Sequence, residues 1–255
     1  MSWSGFKKNL NRAGTSLMQR AGAMEKTVDQ EFDEEERRFR VLEQKSEKLY
    51  KETKGYLDSL RAVAGTQKRI AETIQQFYDE SAPMGVCGIR YKQTMDNLED
   101  MLRLEMDQTY RQTVIDPIGR FCSYFPEIND AIKKRNKKLL DYDASRNRVR
   151  KLVDKTSEDA SRLPRAEQEA NVSREIYEHL NMMLTNELPK VVDIRVPYLD
   201  PSFEAMVKAQ LKYFRHTHEK LDTLHEYFPP EDPTLEHRVE GILQQMRDLT
   251  ICGIN

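Results

Sequence analysis

Apolar residues recur at steps of three and four along most of the chain, which is the spacing of one face of an α-helix. One such row starts at Phe39 within residues 25–80, and a second row starts at Val114 within residues 89–155. A repeat of about 3.5 residues sustained over this length indicates a left-handed coiled coil, and we call each of these apolar rows a seam. The alternation that is typical of a β-strand does not compete with it.

Glycine and proline separate the helical stretches. Residues 81–88 (SAPMGVCG) indicate a loop because proline and glycine punctuate them. A third stretch runs from Leu163 to Phe228, and a short final helix is predicted over residues 234–249. Long helices joined by short loops lie antiparallel. We therefore predict an all-α fold, a long three-helix antiparallel coiled coil.

Several prolines fall inside the helical pattern. An interior proline removes a hydrogen bond and costs about 3 kcal/mol, so it bends or breaks the helix. We expect kinked helices and a curved rod, and the alternative is a helix that stops and restarts, most clearly around residues 196–201. The prolines are Pro117, Pro126, Pro189, Pro197 and Pro201.

Further apolar positions lie off the two seams, more than a narrow three-helix bundle needs. They suggest that a second copy, or a similar chain, covers another face, and the alternative is that they only widen one stripe. We predict a dimer. These positions are Met101, Leu104, Met106, Ile115, Tyr124, Tyr177, Met182, Val207 and Phe214.

The composition agrees with thin helices that expose much of their circumference. Hydrophobic residues make up 38% and charged residues 33% of the chain, whereas an average globular domain has roughly 45–50% and about 25%.

The chain contains no run of about 18 apolar residues, so no membrane span is predicted. Three scattered cysteines, Cys87, Cys122 and Cys252, do not form a disulfide framework, and no secretory signal is recognisable. We therefore expect a cytoplasmic protein.

The net charge of -2 conceals an uneven distribution of charge. Residues 1–24 contain four basic and no acidic side chains, and residues 133–155 contain ten basic and three acidic ones. The rest of the chain is strongly acidic. This segregation predicts a surface that is oriented by electrostatics. Arg135 and Arg146 fall on the apolar seam, where we expect them to pair with acids or extend to solvent.

The first basic region is also amphipathic. A basic helix with Trp, Phe and Leu on one face is typical of a segment that lies in a membrane interface. A mitochondrial presequence and a helix that caps the core are the other interpretations. The apolar stripe comprises Trp3, Phe6, Leu10, Ala13, Leu17 and Ala21, and Lys7, Lys8 and Arg12 lie off it.

The second basic region forms a two-column face on a helix, because Lys133 with Lys137 and Lys134 with Lys138 stand four residues apart. Such a face suits anionic lipid or a nucleic acid, or is simply solvated. Its one aromatic residue, Tyr142, lies on the seam and offers no stacking platform for single strands. We therefore expect no nucleic-acid partner.

Five segments of the chain resemble the amphiphysin/Rvs-type BAR (N-BAR) proteins, and the chain is similar to the short fungal members that lack an SH3 domain. Generic coiled coils do not share such irregular strings, which extend from end to end. The resemblance implies an amphipathic membrane-inserting helix over residues 1–24, which folds on insertion, and a BAR domain over residues 25–250. The segments are residues 1–14 (MSWSGFKKNLNRAG), 56–63 (YLDSLRAV), 133–146 (KKRNKKLLDYDASR), 162–167 (RLPRAE) and 187–205 (ELPKVVDIRVPYLDPSFEA).

The resemblance further implies a crescent-shaped antiparallel dimer whose concave face binds curved anionic membrane. On this implication the concave-face residues are Lys134 and Lys137, with Lys133 and Lys138 adjacent. The tip residues between the second and third helices are Lys151, Lys155, Arg162 and Arg165, beside the acids Glu158 and Asp159. Relatives act at endocytic sites and with cortical actin, as homodimers or as heterodimers with a longer SH3-bearing relative. The same role, peripheral on membranes, is expected here.

Two functions of different class follow. The first is a scaffold that senses or shapes membrane curvature in endocytosis and actin organisation, and the alternative is a lipid-independent coiled-coil adaptor of the cortical cytoskeleton. No enzyme, metal or cofactor is expected. His216 and His218 would diverge by about 200° on a helix, and no P-loop, G-x-S-x-G or H-E-x-x-H pattern occurs.

Overall fold

The computed structural model describes residues 3–78, 84–154, 159–228, 234–249 and 251, with side chains from Phe6 onward. Within these ranges the chain is helical and contains no strand, which confirms the all-α prediction. The helices are α1 (Trp3–Arg20), α2 (Gln30–Phe77), α3 (Gly85–Met101), α4 (Asp107–Tyr110), α5 (Asp116–Ser123), α6 (Phe125–Asp154), α7 (Arg162–Asp222) and α8 (Leu235–Arg247). π-Helical turns at Leu102–Met106 and Arg111–Ile115 join α3 to α4 and α4 to α5.

Helix α3 begins earlier than the sequence suggests. Residues 85–88 are helical, including Gly85 and Gly88, so the predicted loop is wrong at these four residues, while residues 81–83 lie outside the described ranges. A glycine costs only about 1 kcal/mol inside a helix. A Cβ at Gly88 would lie 3.7 Å from the Ile74 side chain, so this glycine packs closely against α2. Packing between the two helices outweighs the weak helix propensity.

The prolines act in two different ways. Pro117 and Pro126 are each the second residue of a helix, α5 and α6. Pro126 follows the turn at Tyr124, so the missing N–H has no intrahelical acceptor to lose and α6 restarts there. At Pro117 the preceding π-helical turn runs directly into α5, so the helical backbone continues through this proline. Pro189, Pro197 and Pro201 instead lie inside α7, which continues through them. The alternative of a break around residues 196–201 is therefore wrong.

The chain divides into two compact units, of which the first comprises residues 1–57 and 109–208. Its helices are antiparallel: Arg40 hydrogen-bonds Asn129, and the Tyr198 hydroxyl donates to the Pro117 carbonyl at 3.1 Å. The ring of Phe39 packs edge-on against Phe125. The core of this unit consists of Phe32, Phe39, Leu42, Phe121, Phe125, Ile132, Leu184, Leu188 and Val192.

The second unit comprises residues 58–108 and 209–255. Arg61 Nε donates to Asp107 at 2.7 Å, and Lys68 Nζ donates to Glu99 at 2.8 Å, so α2 is antiparallel to the helices that follow it. Lys212 of α7 reaches Glu105 at 3.1 Å. Its buried apolar residues include Leu60, Ala64, Ala71, Cys87, Met95, Leu98, Met101, Leu102, Met106 and Tyr213.

The predicted seam of α2 is confirmed only over its first half. Phe39 and Leu60 are buried, but Val63, Ile70 and Phe77 are 51%, 48% and 81% exposed. Their neighbours Ala64 and Ala71 are buried instead. A straight α-helix drifts by about 20° per heptad against a 3.5-residue repeat, so the inward position moves by one residue over several turns.

The apolar positions off the seams also divide. Four of them are buried within the chain and widen its own core. Our expectation that a second copy covers these positions is therefore wrong for Met101, Met106, Ile115 and Tyr177. The others are exposed: Leu104, Tyr124, Met182, Val207 and Phe214.

Candidate membrane-binding surface

The basic face of α6 lies opposite its buried seam. At 100° per residue the four lysines at 133, 134, 137 and 138 span an arc of about 140°. The opposite side carries Ile132, Arg135 and Leu139, all of which are buried. Burial of the seam therefore turns the lysines away from the core. Lys133, Lys134 and Lys137 are exposed, and Lys138 is half-buried.

Two of these lysines are engaged by acids. Lys133 Nζ donates to Asp130 at 3.0 Å, and Lys138 lies 3.7 Å from Asp141. Lys134 and Lys137 make no ion pair or hydrogen bond with the residues that the structure describes. These two carry uncompensated charge on an exposed helix face, which is the arrangement that attracts an anionic surface.

Helix α1 presents its apolar stripe to solvent. Phe6, Leu10 and Leu17 are exposed, as are Lys7 and Lys8 beside them. The backbone of Trp3 opens the helix, and its side chain lies outside the described residues. The first helical turn contains no acid, and Arg20 lies in the last turn. The exposed surface of α1 is therefore apolar with basic edges.

The other side of α1 docks on α6. Arg12 donates from Nε and Nη2 to the two oxygens of Asp141, each at 2.8 Å. The hydrogen bond to Asp141 is also what raises the pKa of Arg12. Lys138 shares the same carboxylate. The structure thus brings the two predicted basic regions together around Asp141, and Arg12 is engaged within the protein.

A second aspartate of α6 also holds this segment. Asp143 is buried and accepts hydrogen bonds from Gln19 Nε2 at 2.7 Å and from Thr27 Oγ1 at 2.6 Å. Arg146 lies 3.7 Å from it, and Arg146 therefore pairs with an acid as expected. The sequence pattern does not single out Asp141 and Asp143, which enter it only as negative charge within the basic region of residues 133–155. Their placement, two acids within its most basic segment, is the signal that was available.

The predicted tip residues lie on both sides of the turn before α7. Lys151, Arg162 and Arg165 are exposed, whereas Lys155 and Glu158 lie outside the described residues. Asp159 accepts hydrogen bonds from the backbone N–H of Ser161 at 2.9 Å and from its hydroxyl at 2.7 Å. These bonds lower the pKa of Asp159, so it stays ionised. This acid serves the turn into α7 and reduces the positive charge beside Arg162.

Across the described residues, no helix is both long enough and apolar enough to cross a bilayer. The same part of the chain contains no group of three or more histidine, cysteine, aspartate or glutamate residues that could hold a metal ion.

The structure is an all-α antiparallel bundle whose first helix is amphipathic and whose helix α6 carries an exposed basic face. The BAR domain family model matches residues 6–228, so the chain belongs to the BAR domain family. The matched region begins inside α1, before the predicted boundary at residue 25, and ends before α8.

Two fungal proteins are similar over their whole length. Protein hob3 of Schizosaccharomyces pombe is 52% identical over 100% of this chain and 99% of its own. The regulator of cytoskeleton and endocytosis RVS161 of Candida albicans is 41% identical over the same shares. Among solved structures, the amphiphysin BAR domain from Drosophila has a TM-score of 0.61 at 22% identity and covers 80% of this chain and 93% of that one. At this identity the likeness concerns the fold.

Proposed function

We propose that this protein is a membrane-curvature scaffold that acts in endocytosis and in organisation of the actin cytoskeleton. Two chains form a crescent-shaped dimer, and its concave basic face and the α1 stripe bind anionic membrane. The observation that carries the proposal is the pair of exposed, uncompensated lysines Lys134 and Lys137 on α6. Family membership and the name of the Candida relative support the cellular role.

A row of exposed apolar residues supports the dimer. Val63, Ile70 and Phe77 stand seven residues apart on α2, and their neighbours Ala64 and Ala71 are buried inside the chain. Heptad spacing is the pattern by which one helix packs against another. A second copy of this chain, or a longer SH3-bearing relative, would bury this row. Actin-associated partners would then be reached indirectly, at the cell cortex.

The size of the electrostatic contribution to membrane binding also favours a dimer. Each basic side chain near an anionic leaflet contributes about 1 kcal/mol. The two lysines of one chain therefore bind membranes weakly, and two chains double the number of contacts. Lys133, Lys138, Lys151, Lys155, Arg162 and Arg165 add to this face or to the tip. The role needs no cofactor, no nucleic acid and no catalytic residue.

Flotation of the full chain with phosphatidylserine-containing vesicles tests the proposal. We expect K134E together with K137E to reduce the vesicle-bound fraction at least tenfold at moderate ionic strength, with circular dichroism unchanged. The control is K190E together with K208E, which reverses the same charge at exposed lysines of α7 that pair with Glu187 and Glu204. If the wild-type chain does not float, a lipid-independent adaptor is the better description. If both double variants float as the wild type does, Lys134 and Lys137 do not carry the binding.

A further inference from the structure

Helices α2 and α7 leave a groove between them on the surface of the first compact unit. Its volume is about 340 Å³, and ligand sites in proteins occupy roughly 300–1,000 Å³. Its floor contains Leu42 and Val192, which are both buried, and Val41 beside them is 45% exposed. The groove is therefore apolar at its base. Its edges carry the acid Glu34 and four basic side chains, Arg37, Arg38, Lys45 and Arg195.

The positive charge of this groove is only partly compensated. Arg37 and Arg38 each pair with a glutamate that lies one turn before them on α2. Among the residues that the structure describes, no acid pairs with the other two, Lys45 and Arg195. Because these two stand on different helices, they place uncompensated positive charge on both edges of the groove.

Arg195 is half-buried, so its charge has lost part of its contact with water. Its Nη1 donates to the carbonyl oxygen of Val192, one turn back on α7, and this is its one hydrogen bond to a described residue. A guanidinium group has five N–H donors, and a buried charge is costly unless it is paired and hydrogen-bonded. A carboxylate accepts two parallel hydrogen bonds from such a group. The remaining donors of Arg195 are therefore suited to a carboxylate ligand.

The groove opens on the side of this unit that faces away from the lysines of α6. Helix α6 packs against both α2 and α7. In a bundle of three helices, the groove between two of them faces away from the third. Lys134 and Lys137 lie on the outer face of α6, opposite its buried seam. A membrane bound to these two lysines leaves the groove accessible on the other side.

We propose that this groove binds a short acidic segment of a partner protein, in which carboxylates flank apolar side chains. The carboxylates pair with Lys45 and Arg195, and an apolar side chain packs on Val41. An anionic bilayer fits less well, because its broad surface would also meet the beginning of α2, where residues 31–36 contain five acids. This partner site goes beyond the proposed function, since it does not depend on lipid.

Fluorescence anisotropy with the full chain tests the groove. The probe is a fluorescein-labelled peptide of alternating Glu-Glu and Leu-Leu pairs. We expect the wild type to bind it, K45E together with R195E to weaken binding at least tenfold, and a peptide with Lys in place of Glu not to bind. The control is K51E with K190E, which reverses the same charge at exposed lysines about 120° around α2 from Lys45 and about 160° around α7 from Val192. No binding by the wild type, or equal loss in both double variants, would overturn the proposal.

The single variant K45E keeps the test decisive if the double variant fails to fold. Lys45 is exposed and makes no ion pair or hydrogen bond with the described residues, so circular dichroism should be unchanged. We expect K45E to bind the peptide several-fold more weakly than the wild type. An unchanged affinity would overturn the proposal.

Flotation with phosphatidylserine-containing vesicles separates this site from the lipid-binding face. We expect K45E with R195E to float as the wild type does. Loss of flotation to the same extent as in K134E with K137E would make the groove a second lipid site and overturn the proposal. A wild-type chain that binds the peptide but no vesicles would instead overturn the proposed function and leave the partner site intact.

Discussion

The guanidinium carbon of Arg135 lies 3.7 Å from the centroid of the Phe32 ring. Arg135 is buried on the seam of α6 and donates from Nε and Nη2 to Asn181 Oδ1 at 2.8 and 2.6 Å. Its Nη2 also donates to the Tyr177 hydroxyl at 3.1 Å and lies 3.7 Å from Asp29. One buried cation thus links α6 to α7 and to the beginning of α2.

Removal of this side chain should destabilise the fold. We expect R135A to lower the free energy of unfolding by about 2–4 kcal/mol, because it leaves buried polar partners without their donor. Urea denaturation followed by circular dichroism measures this change in the free energy of unfolding. The control is K134A on the exposed face, for which a change within about 0.5 kcal/mol is expected. Equal stability of R135A and the wild type would contradict this account of Arg135.

A charge in the exposed apolar row of α2 should break the dimer. We expect the wild-type chain to sediment as a dimer and I70E to shift it towards monomer, because a desolvated carboxylate without a partner is costly at an interface. The control is V41E, since Val41 is 45% exposed on the same helix, close to the 48% of Ile70. Dimers of unchanged stability in I70E would place the interface elsewhere.

A charge on the apolar stripe of α1 should weaken membrane deformation without unfolding the protein. Leu17 is exposed, so L17D should change the free energy of unfolding by no more than about 0.5 kcal/mol. A chain that lacks residues 1–22 should remain a folded dimer but tubulate vesicles less. We expect L17D to reduce vesicle tubulation, viewed by electron microscopy, to the level of this shortened chain. The matched control is N11D, which adds the same charge off the stripe. Full tubulation by L17D or by the shortened chain would contradict insertion of α1.

The buried hydroxyl of Tyr110 should make stability depend on alkaline pH. Burial raises the pKa of Tyr110 from 10.0 to about 12. The unfolded chain releases this proton near pH 10 and the folded chain near pH 12, so the stabilisation is present below pH 10 and is lost as the pH rises through 12. This loss is at most about 2–3 kcal/mol, at 1.36 kcal/mol per pKa unit.

Urea unfolding at about pH 8 and about pH 11.5 measures this loss. We expect Y110F to lose less stability between the two than the wild type, because it has no proton to release. The control is Y124F, which removes an exposed tyrosine and should follow the wild type. Identical losses in all three proteins would show that burial of Tyr110 does not couple to folding.

Periodicity predicted the helices because helical spacing depends on the local order of apolar residues. Most apolar residues of the rows that start at Phe39 and Val114 are buried as far as Leu60 and Leu139 respectively, and Leu49 is the exposed exception. The two basic regions and the amphipathic stripe of residues 1–24 were also visible in the sequence, since charge and polarity need no coordinates. The position of Arg135 on the apolar row predicts a polar partner for its charge, and the structure provides several.

Tertiary structure alone decided which face of each helix meets which neighbour. The pattern of α1 is equally consistent with a helix that buries its apolar stripe, and only the positions of Asp141 and Asp143 turn that stripe outward. Ala64 rather than Val63 faces inward, and this depends on the accumulated helical drift and on the helices packed beside α2. Local sequence sets the period of a helix, but the side that faces inward is chosen by contacts between residues far apart in the chain.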